Sequence, residues 1–358
     1  MMKIKPMNIF WLLFTPALVY GLYVVAVLAY GTLNDYQPDE AIELESLNSS
    51  RETPPDSSSL SFVIWNIGYG GLGAKSDFFL DGGIQVRPDK ETSEAYLNGI
   101  LRTVESLSSA DFLLLQEVDV KAKRSYGVNQ FEAIGEVLNS HTRAHAMNFN
   151  VKFVPKPMVS LSPIGNVQSG LATYSRYAVS NQTRFQFPGS YGWPTSAFHL
   201  DRCLLESRVP LSNGKELIVI NSHNSAYDGG KLKPQEMAYL RNHLLMEYEK
   251  GNYIVVGADW NQCPPNFAYD SFSPGNADDY YQDNIDPAFM PEGWTWAFDP
   301  SVPTNRKLAS SFEADKTFTT LIDFYLVSPN VQVESVEGVD LAFENSDHQP
   351  VKLSIQLK

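Results

Sequence analysis

Cysteine is nearly missing from this sequence. The 358-residue chain holds two, Cys203 and Cys263, at no zinc-binding spacing, which excludes a thiolate zinc site. One disulfide between them and two unpaired thiols both remain open. Basic charge is short as well. Lys and Arg total 27 against 41 Asp and Glu, for a net charge of −14. That excludes a broad basic surface for wrapping nucleic acid. It leaves room for one phosphate held through a metal ion, because the ion supplies positive charge locally. No internal repeat is visible. The apolar content of 43% and aromatic content of 12% exclude global disorder.

Charge is absent altogether from Asn8 to Asn34, and FWLLFTPALVYGLYVVAVLAY within it is almost wholly apolar. The stretch has the length that spans a bilayer, about 20 residues. Lys3 and Lys5 precede it, whereas Asp35, Asp39, Glu40, Glu43 and Glu45 follow it. The positive-inside rule keeps such an N-terminus cytoplasmic and exports the rest. The competing reading is a signal peptide cleaved after Val27-Leu28-Ala29; the run is long for a signal h-region, which favours an uncleaved anchor. The chain then divides into an anchor at 1–34, a flexible linker at 35–59 rich in Pro, Ser, Asp and Glu, and a globular domain at 60–358.

The domain opens β-α-β. SFVIWNI at 61–67 is a short strand, and TSEAYLNGILRTVESL has helical spacing with Thr92 or Ser93 as cap. DFLLLQEV at 111–118 is a buried strand. A helix follows around Gln130–Leu138, then strands at 145–154, 169–179, 203–209 and 216–222, the last two joined by the hairpin signal PLSNGK. PQEMAYLRNHLLMEYEKGN reads as a helix leading into the strand YIVVGAD. LIDFYLVS, VQVESVEGV and PVKLSIQL close the chain as strands. Many strands mixed with helices predict an α/β sandwich of two sheets. Residues 264–315 read as a long loop insertion on the site face.

Apolar strands here end in polar residues that a core would not choose: Asn66, Glu117, His223, Asp259 with Asn261, Asp323, and Asp347 with His348 before the last strand. Any one alone reads as a strand-end cap or turn. Together they demand compensation, because neighbouring buried carboxylates cost several kcal/mol per charge. An oxygen-rich set of Glu, Asp and Asn suits Mg²⁺ or Mn²⁺.

In order and spacing, WNIGYG, LLLQEVD, INSHNSA, VVGADWNQ, IDFYLV and SDHQPV resemble the motifs of the endonuclease/exonuclease/phosphatase superfamily, over roughly residues 60–357. The resemblance implies a four-layer α/β sandwich: two packed mixed sheets flanked by helices, here preceded by one transmembrane helix. It implies a metal-dependent phosphoesterase that hydrolyses a phosphodiester. Glu117 would be a metal ligand, Asp347 would help bind the metal, and Asn66 would orient metal or phosphate. Asp259 and Asn261 would position the attacking water and hold a phosphate oxygen. His348 would contact the scissile phosphate or take the water's proton, with Asp323 on its other nitrogen. His223 matches a second histidine of the deoxyribonuclease and sphingomyelinase branches. Two positions depart from the pattern: Ala258 where Gly is usual, and Gln168 where a Glu usually pairs with the first histidine.

Substrate signals are loop-borne. Arg124, Tyr126 and Asn129 stand after the Glu117 strand as candidates for the substrate's phosphate, with Lys121 and Lys123 beside them. The Gly-rich stretch 66–83 carries Tyr69, Phe78 and Phe79. FPGSYGWPTSAF places Tyr191, Trp193 and Phe198 where they could stack on bases or meet a membrane interface. The expected substrate is therefore nucleic acid or phospholipid, attacked by an exported nuclease or general phosphodiesterase, or by a phospholipid or sphingomyelin phosphodiesterase at the membrane. A tethered binding protein without turnover is the third reading. The inositol-phosphatase branch fits less well, because ADKTFTTLIDFYLV lacks its arginine-bearing signature. No obligate protein partner is implied.

Overall fold

The computed structural model describes residues 6–358, except 49, 56–58, 159, 161, 227–228 and 274–281; of residues 6–13 it describes the backbone alone. In chain order the elements are α1 (Pro6–Leu33), β1 (Ala41–Glu43), β2 (Leu60–Asn66), α2 (Lys90–Ser106), β3 (Phe112–Asp119) and α3 (Gln130–Val137). Next come β4 (Thr142–Val154), β5 (Gly165–Ser175), β6 (Asn181–Gln186), β7 (Cys203–Pro210), β8 (Glu216–His223), α4 (Lys233–Glu249) and β9 (Tyr253–Asp259). The chain ends with β10 (Thr295–Ala297), β11 (Asn305–Arg306), β12 (Thr319–Thr320), β13 (Asp323–Val327), β14 (Val331–Gly338) and β15 (Val351–Leu357).

Two mixed sheets form. One has seven strands in the order β1-β6-β7-β8-β9-β13-β10, the other six in the order β14-β15-β2-β3-β5-β4. Phe62, Ile64, Leu114, Val219, Val255, Tyr325 and Leu353 fill the space between them. Behind the first sheet, Met237, Leu240 and Leu244 of α4 pack on Ile218, Ile254 and Val256. Behind the second, Ile100 and Val104 of α2 and Phe131 and Ile134 of α3 pack on Val63, Trp65, Leu113 and Leu115. The layers are therefore helix, sheet, sheet, helix, as expected. The central strands β3 and β9 are covered on both faces, which explains their unbroken apolar runs. Gly257 on β9 permits the close approach of the sheets: a Cβ there would run into Ile64 and come within 3.0 Å of Leu114.

Three expectations change. The helix begins at Lys90, not after Thr92, because the Asp89 carboxylate accepts the Thr92 amide at 2.8 Å; an acidic cap at a helix N-terminus is favoured. The 35–59 linker is partly built into the domain. Ala41–Glu43 pairs antiparallel with β6, Leu47 bridges Arg143, and Leu44 packs on Leu171 and Leu205. An otherwise open sheet edge and two apolar side chains account for that docking. Residues 49 and 56–58 of the linker lie outside the described residues. The 264–315 segment is not wholly loop: β10 extends the first sheet, and Ile285 and Met290 enter the core. Its residues 274–281 also lie outside the described set. Cys203 and Cys263 are free and buried, and burial pushes both thiols up to about 11.

Candidate active site

Sheet register assembles the site. In the β8–β9 parallel pair His223 stands opposite Asp259, and in the β9–β13 antiparallel pair Asp259 stands opposite Asp323. Paired residues of adjacent strands project to the same face, so the three side chains line up at one sheet end. The facing sheet contributes Asn66 at the end of β2, in register with Gln116 of β3. Glu117 follows at a β-bulge between Leu115 and Val118, with φ of 56°. A bulge re-aims a side chain, and a non-Gly residue in that conformation is strained, as at many functional positions. Glu117 is half-buried while its neighbours on β3 are covered.

The segment before β15 closes the group. Trp65 Nε1 donates to the His348 carbonyl at 3.0 Å, and Ser346 Oγ donates to the Asn66 carbonyl at 2.8 Å. Arg306 N donates to the Asp347 carbonyl at 3.0 Å. These bonds hold His348 Nδ1 at 2.8 Å from Asp323 Oδ2, and Nε2 at 3.7 Å from Asp259 Oδ2. Asn305 lies 3.0 Å from the same Nε2. His223 Nε2 approaches Asp259 Oδ2 to 3.3 Å from the other side. Asn66 turns its amide nitrogen to Asp259 Oδ2 at 3.0 Å and Glu117 Oε1 at 3.5 Å, while its oxygen accepts from Gly68 N. It thus orients two carboxylates. Gly68 has φ of 51°, and a Cβ there would sit 2.8 Å from Asp347 Oδ1, so only glycine lets the chain pass that carboxylate. Asn261, also at positive φ, is pinned by its amide N to Asp259 Oδ1 and by Nδ2 to the Asn224 carbonyl.

Burial and charge set the protonation states. Burial disfavours the His348 cation, but Asp323, Asp259 and Asp347 outweigh it and raise its pKa well above 6.5. Burial together with the Arg202 charge pushes His223 down to about 3, so it is neutral. Burial raises Asp259, yet the two histidines and the Asn66 bond bring it below the usual carboxylate range. Asp347 is pushed up to about 7 by burial, with Glu117 adding repulsion. Asp323 is pushed up to about 6 by burial and by Asp259, with His348 opposing.

The donors suit a divalent metal. Asp259, Asp323 and His348 bring polar atoms within 4.8 Å of one another, and with the His348 ring protonated the carboxylates are the donors left for an ion. Asp323 Oδ1 is buried with no hydrogen-bond partner among the described residues. The Glu117–Asp347 repulsion is what a bound cation would relieve, and carboxylate oxygens are the ligands a hard ion takes.

The structure thus brings together Asn66, Glu117, His223, Asp259, Asn261, Asp323, Asp347 and His348. The three loop candidates are placed differently. Arg124 pairs with Asp119 at 2.9 Å, donates to Ser169, and lies 3.7 Å over the Tyr69 ring. Asn129 caps α3 by accepting the Glu132 amide. Tyr126 lies on the rim, 39% exposed, with its hydroxyl donating to the Pro88 carbonyl. Gln168 donates to Asn150 on β4. Sequence reasoning missed Arg202, which stands just before β7. Its charge reaches His223, and its Nε and Nη1 are buried with no partner among the described residues. An arginine directly ahead of an apolar strand was the available signal. It also missed the amide pair behind the site. Asn221 accepts from Gln116 at 2.7 Å and donates to the Leu115 and Ala172 carbonyls, joining the two sheets.

The profile of the Endonuclease/Exonuclease/phosphatase family matches residues 63–348. No curated protein matches the chain by sequence. Among solved structures, an endonuclease/exonuclease/phosphatase from Beutenbergia cavernae is 15% identical with a TM-score of 0.54, covering 84% of this chain and 72% of its own. The human Nocturnin catalytic domain with bound sulfate is 14% identical with a TM-score of 0.52, covering 88% and 98%. D. rerio TDP2 complexed with a single-strand DNA product is 15% identical with a TM-score of 0.50, covering 83% and 99%. At such identities the likeness shows the fold, and the family match adds the rest: the chain belongs to the endonuclease/exonuclease/phosphatase family.

Proposed function

We propose that this chain is a metal-dependent phosphodiesterase, a nuclease or general phosphodiesterase held by α1 at the extracytoplasmic face of a membrane. Family members are phosphoester hydrolases. The observation that carries the reading is the buried Asp259–Asp323–His348 group, with Asn66 and His223 packed against Asp259.

Glu117 and Asp347 are the residues proposed to hold Mg²⁺ or Mn²⁺. The ion would screen the phosphate's charge and stabilise the oxygens that become negative during attack. Asp259 is kept ionised and fixed by Asn66 and the Asn261 amide, so it orients a water and draws off its proton. Asn261 sits beside it, placed for a phosphate oxygen. His348, protonated and steered by Asp323, donates to the scissile phosphate and gains strength as charge builds there. Neutral His223 borders the same oxygen of Asp259, and Arg202 behind it supplies fixed positive charge. Of the loop candidates, Tyr126 is the one on the rim where substrate would pass. The DNA product bound to the TDP2 relative makes nucleic acid the first substrate to offer.

A phospholipid substrate is the second reading, favoured by the apolar cleft between α1 and the loops at Met158 and Phe198. The test is hydrolysis by the metal-stripped full chain, with Mg²⁺ or Mn²⁺ restored. Single-stranded DNA, RNA, sphingomyelin vesicles and a soluble aryl phosphodiester are the substrates, with Glu117→Ala and His348→Ala alongside. Metal-dependent turnover lost in both variants is expected. Turnover on none of them, or turnover unchanged in both variants, overturns the proposal and leaves a binding protein.

A further inference from the structure

Outside α1, and apart from Met246 on α4, the exposed large apolar side chains among the described residues gather on a few loops. Leu80 and Ile84 stand on one, Met158 and Trp193 on two others, at 53%, 87%, 49% and 65% exposure. These loops share one small core, in which Phe79, Val86, Phe198 and Leu200 pack on Phe149, Val151 and Val154. Arg87 donates to the Pro163 carbonyl and Tyr126 to the Pro88 carbonyl, which ties the rim to the loop after the Glu117 strand.

The rim meets α1. Trp193 Nε1 donates to Thr32 Oγ1 at 3.0 Å, and the Phe198 ring lies over Gly31. A cleft of about 350 Å³ runs on from there, between Tyr23, Val27 and Leu28 of the helix and Met158, Pro194 and Phe198 of the domain. α1 has 28 residues, about 42 Å at the helical rise, while a bilayer's hydrocarbon is about 30 Å thick. Centred by the cytoplasmic Lys3 and Lys5, a helix of that length puts its last turns through the outer interfacial zone. The loops touching those turns must lie at the same depth. Charge agrees on the Met158 and Trp193 loops: from residue 137 to 200 the chain has no Asp or Glu, and Lys152 and Lys156 stand exposed shortly before Met158. Acid-free apolar loops with exposed lysines are suited to lipid headgroups, where Trp and snorkelling Lys are favoured.

We propose that the Met158 and Trp193 loops are inserted in the outer interface of the bilayer that α1 spans, so the domain lies on the membrane and does not stand off on a tether. The inference rests on α1 being a membrane span. It is independent of which phosphodiester is cut.

The test uses the full chain in bilayers of phosphatidylcholine with a minority of phosphatidylglycerol. Single cysteines replace Val19, Met158, Trp193 or Met246 and carry a nitroxide; Cys203 and Cys263 are buried and stay unlabelled. Met246 on α4, 55% exposed, is the control away from the rim. Oxygen collisions should dominate over those of a soluble nickel chelate at 19, 158 and 193, and nickel at 246. Labels at 158 and 193 as wet as 246 overturn the proposal, as does a wet label at 19. Brominated lipid checks the unlabelled protein: the native chain should lose more tryptophan emission than Trp193→Phe, and equal losses count against insertion. Hydrolysis of the soluble aryl phosphodiester is scored separately. Its absence, together with no turnover on DNA, RNA or sphingomyelin, refutes the phosphodiesterase reading and leaves the depth result standing.

Discussion

Asp323 and His348 are 25 positions apart in the chain and 2.8 Å apart in space, and nearly every contact of the site turns on that bond. It fixes the imidazole through Nδ1, which aims Nε2 at Asp259 and at the space where a phosphate would sit. It also keeps the ring protonated at neutral pH, because Asp323 and Asp259 together outweigh the cost of burying the cation.

The first prediction concerns that bond. Native activity should not fall as pH rises through the ordinary histidine value of 6.5, since His348 titrates well above it. Asp323→Asn removes the largest stabiliser of the imidazolium. Its activity should then fall as pH rises through roughly 6 to 8, where an unassisted imidazole loses its proton. His348→Ala should lower kcat by about a hundred- to ten-thousand-fold, the usual contribution of a positioned proton-transfer group. A pH–rate profile of each variant decides. Parallel profiles for native and Asp323→Asn would show that the carboxylate does not set the charge of the ring.

A second prediction links stability to the metal. Asp347 is raised to about 7, chiefly by burial, with Glu117 adding to it. Its unfolded value is the ordinary one, near 3.8. Between those two values the folded state binds more protons than the unfolded state, so stability falls as pH rises across the window. The cost to the metal-free protein above pH 7 is on the order of 4 kcal/mol. A cation in that place does the proton's work, so Mg²⁺ should stabilise little at pH 5 and most at pH 8. Saturation at a hundred times Kd corresponds to about 2.7 kcal/mol. Thermal unfolding across pH, with and without Mg²⁺, reads both slopes. Glu117→Gln should flatten the metal-free slope and weaken the metal's effect.

How much of this was readable beforehand depended on where each residue gets its role. Asn66, Glu117, His223, Asp259 and Asp323 each end or begin an apolar strand, and a polar residue at such a place stands out in the sequence. Register then assembles them, because paired residues share a face. Arg124 and Asn129 show that loop polarity has two uses. Asn129 caps a helix that starts one residue later, and Arg124 pairs with an acid five positions before it. Gln116 and Asn221 were hidden for the opposite reason. Their partners come from the other sheet or from strands far off in the chain, and no local pattern announces such a bond. The ordered stretch 41–47 was hidden by its composition, since docking depended on an open edge of β6 that the sequence does not display.

The third prediction tests the amide joint between the sheets. Asn221 is fully buried, and its three bonds reach Gln116, Leu115 and Ala172. Asn221→Ala strands two carbonyls and an amide in a dry layer. Each unsatisfied buried group costs about 1–3 kcal/mol, so a loss of about 3 kcal/mol or more is expected. Asn221→Asp should be worse than loss of bonds alone, because it buries a charge beside two carbonyl oxygens. Denaturant unfolding of the variants measures both. A loss under 1 kcal/mol for the alanine variant would mean that water replaces the amide.

The last prediction concerns Arg202. Its buried Nε and Nη1 find no partner among the described residues, and a buried guanidinium left so is costly unless something else takes its bonds. Its charge is the main influence after burial that holds His223 near 3. A substrate phosphate would accept from those nitrogens and restore the balance. Arg202→Ala should therefore do two separable things. It should raise the His223 pKa while burial still keeps it below 6.5, which ring-proton titration by NMR can follow. It should also raise KM more than it lowers kcat if the arginine binds a phosphate before reaction, or lower kcat alone if it acts only on the transition state. Arg202→Lys keeps the charge and loses the fork, so it should hold His223 low yet recover little of the binding. If the alanine variant shifts the histidine and leaves both kinetic constants unchanged, Arg202 tunes an imidazole and touches no substrate.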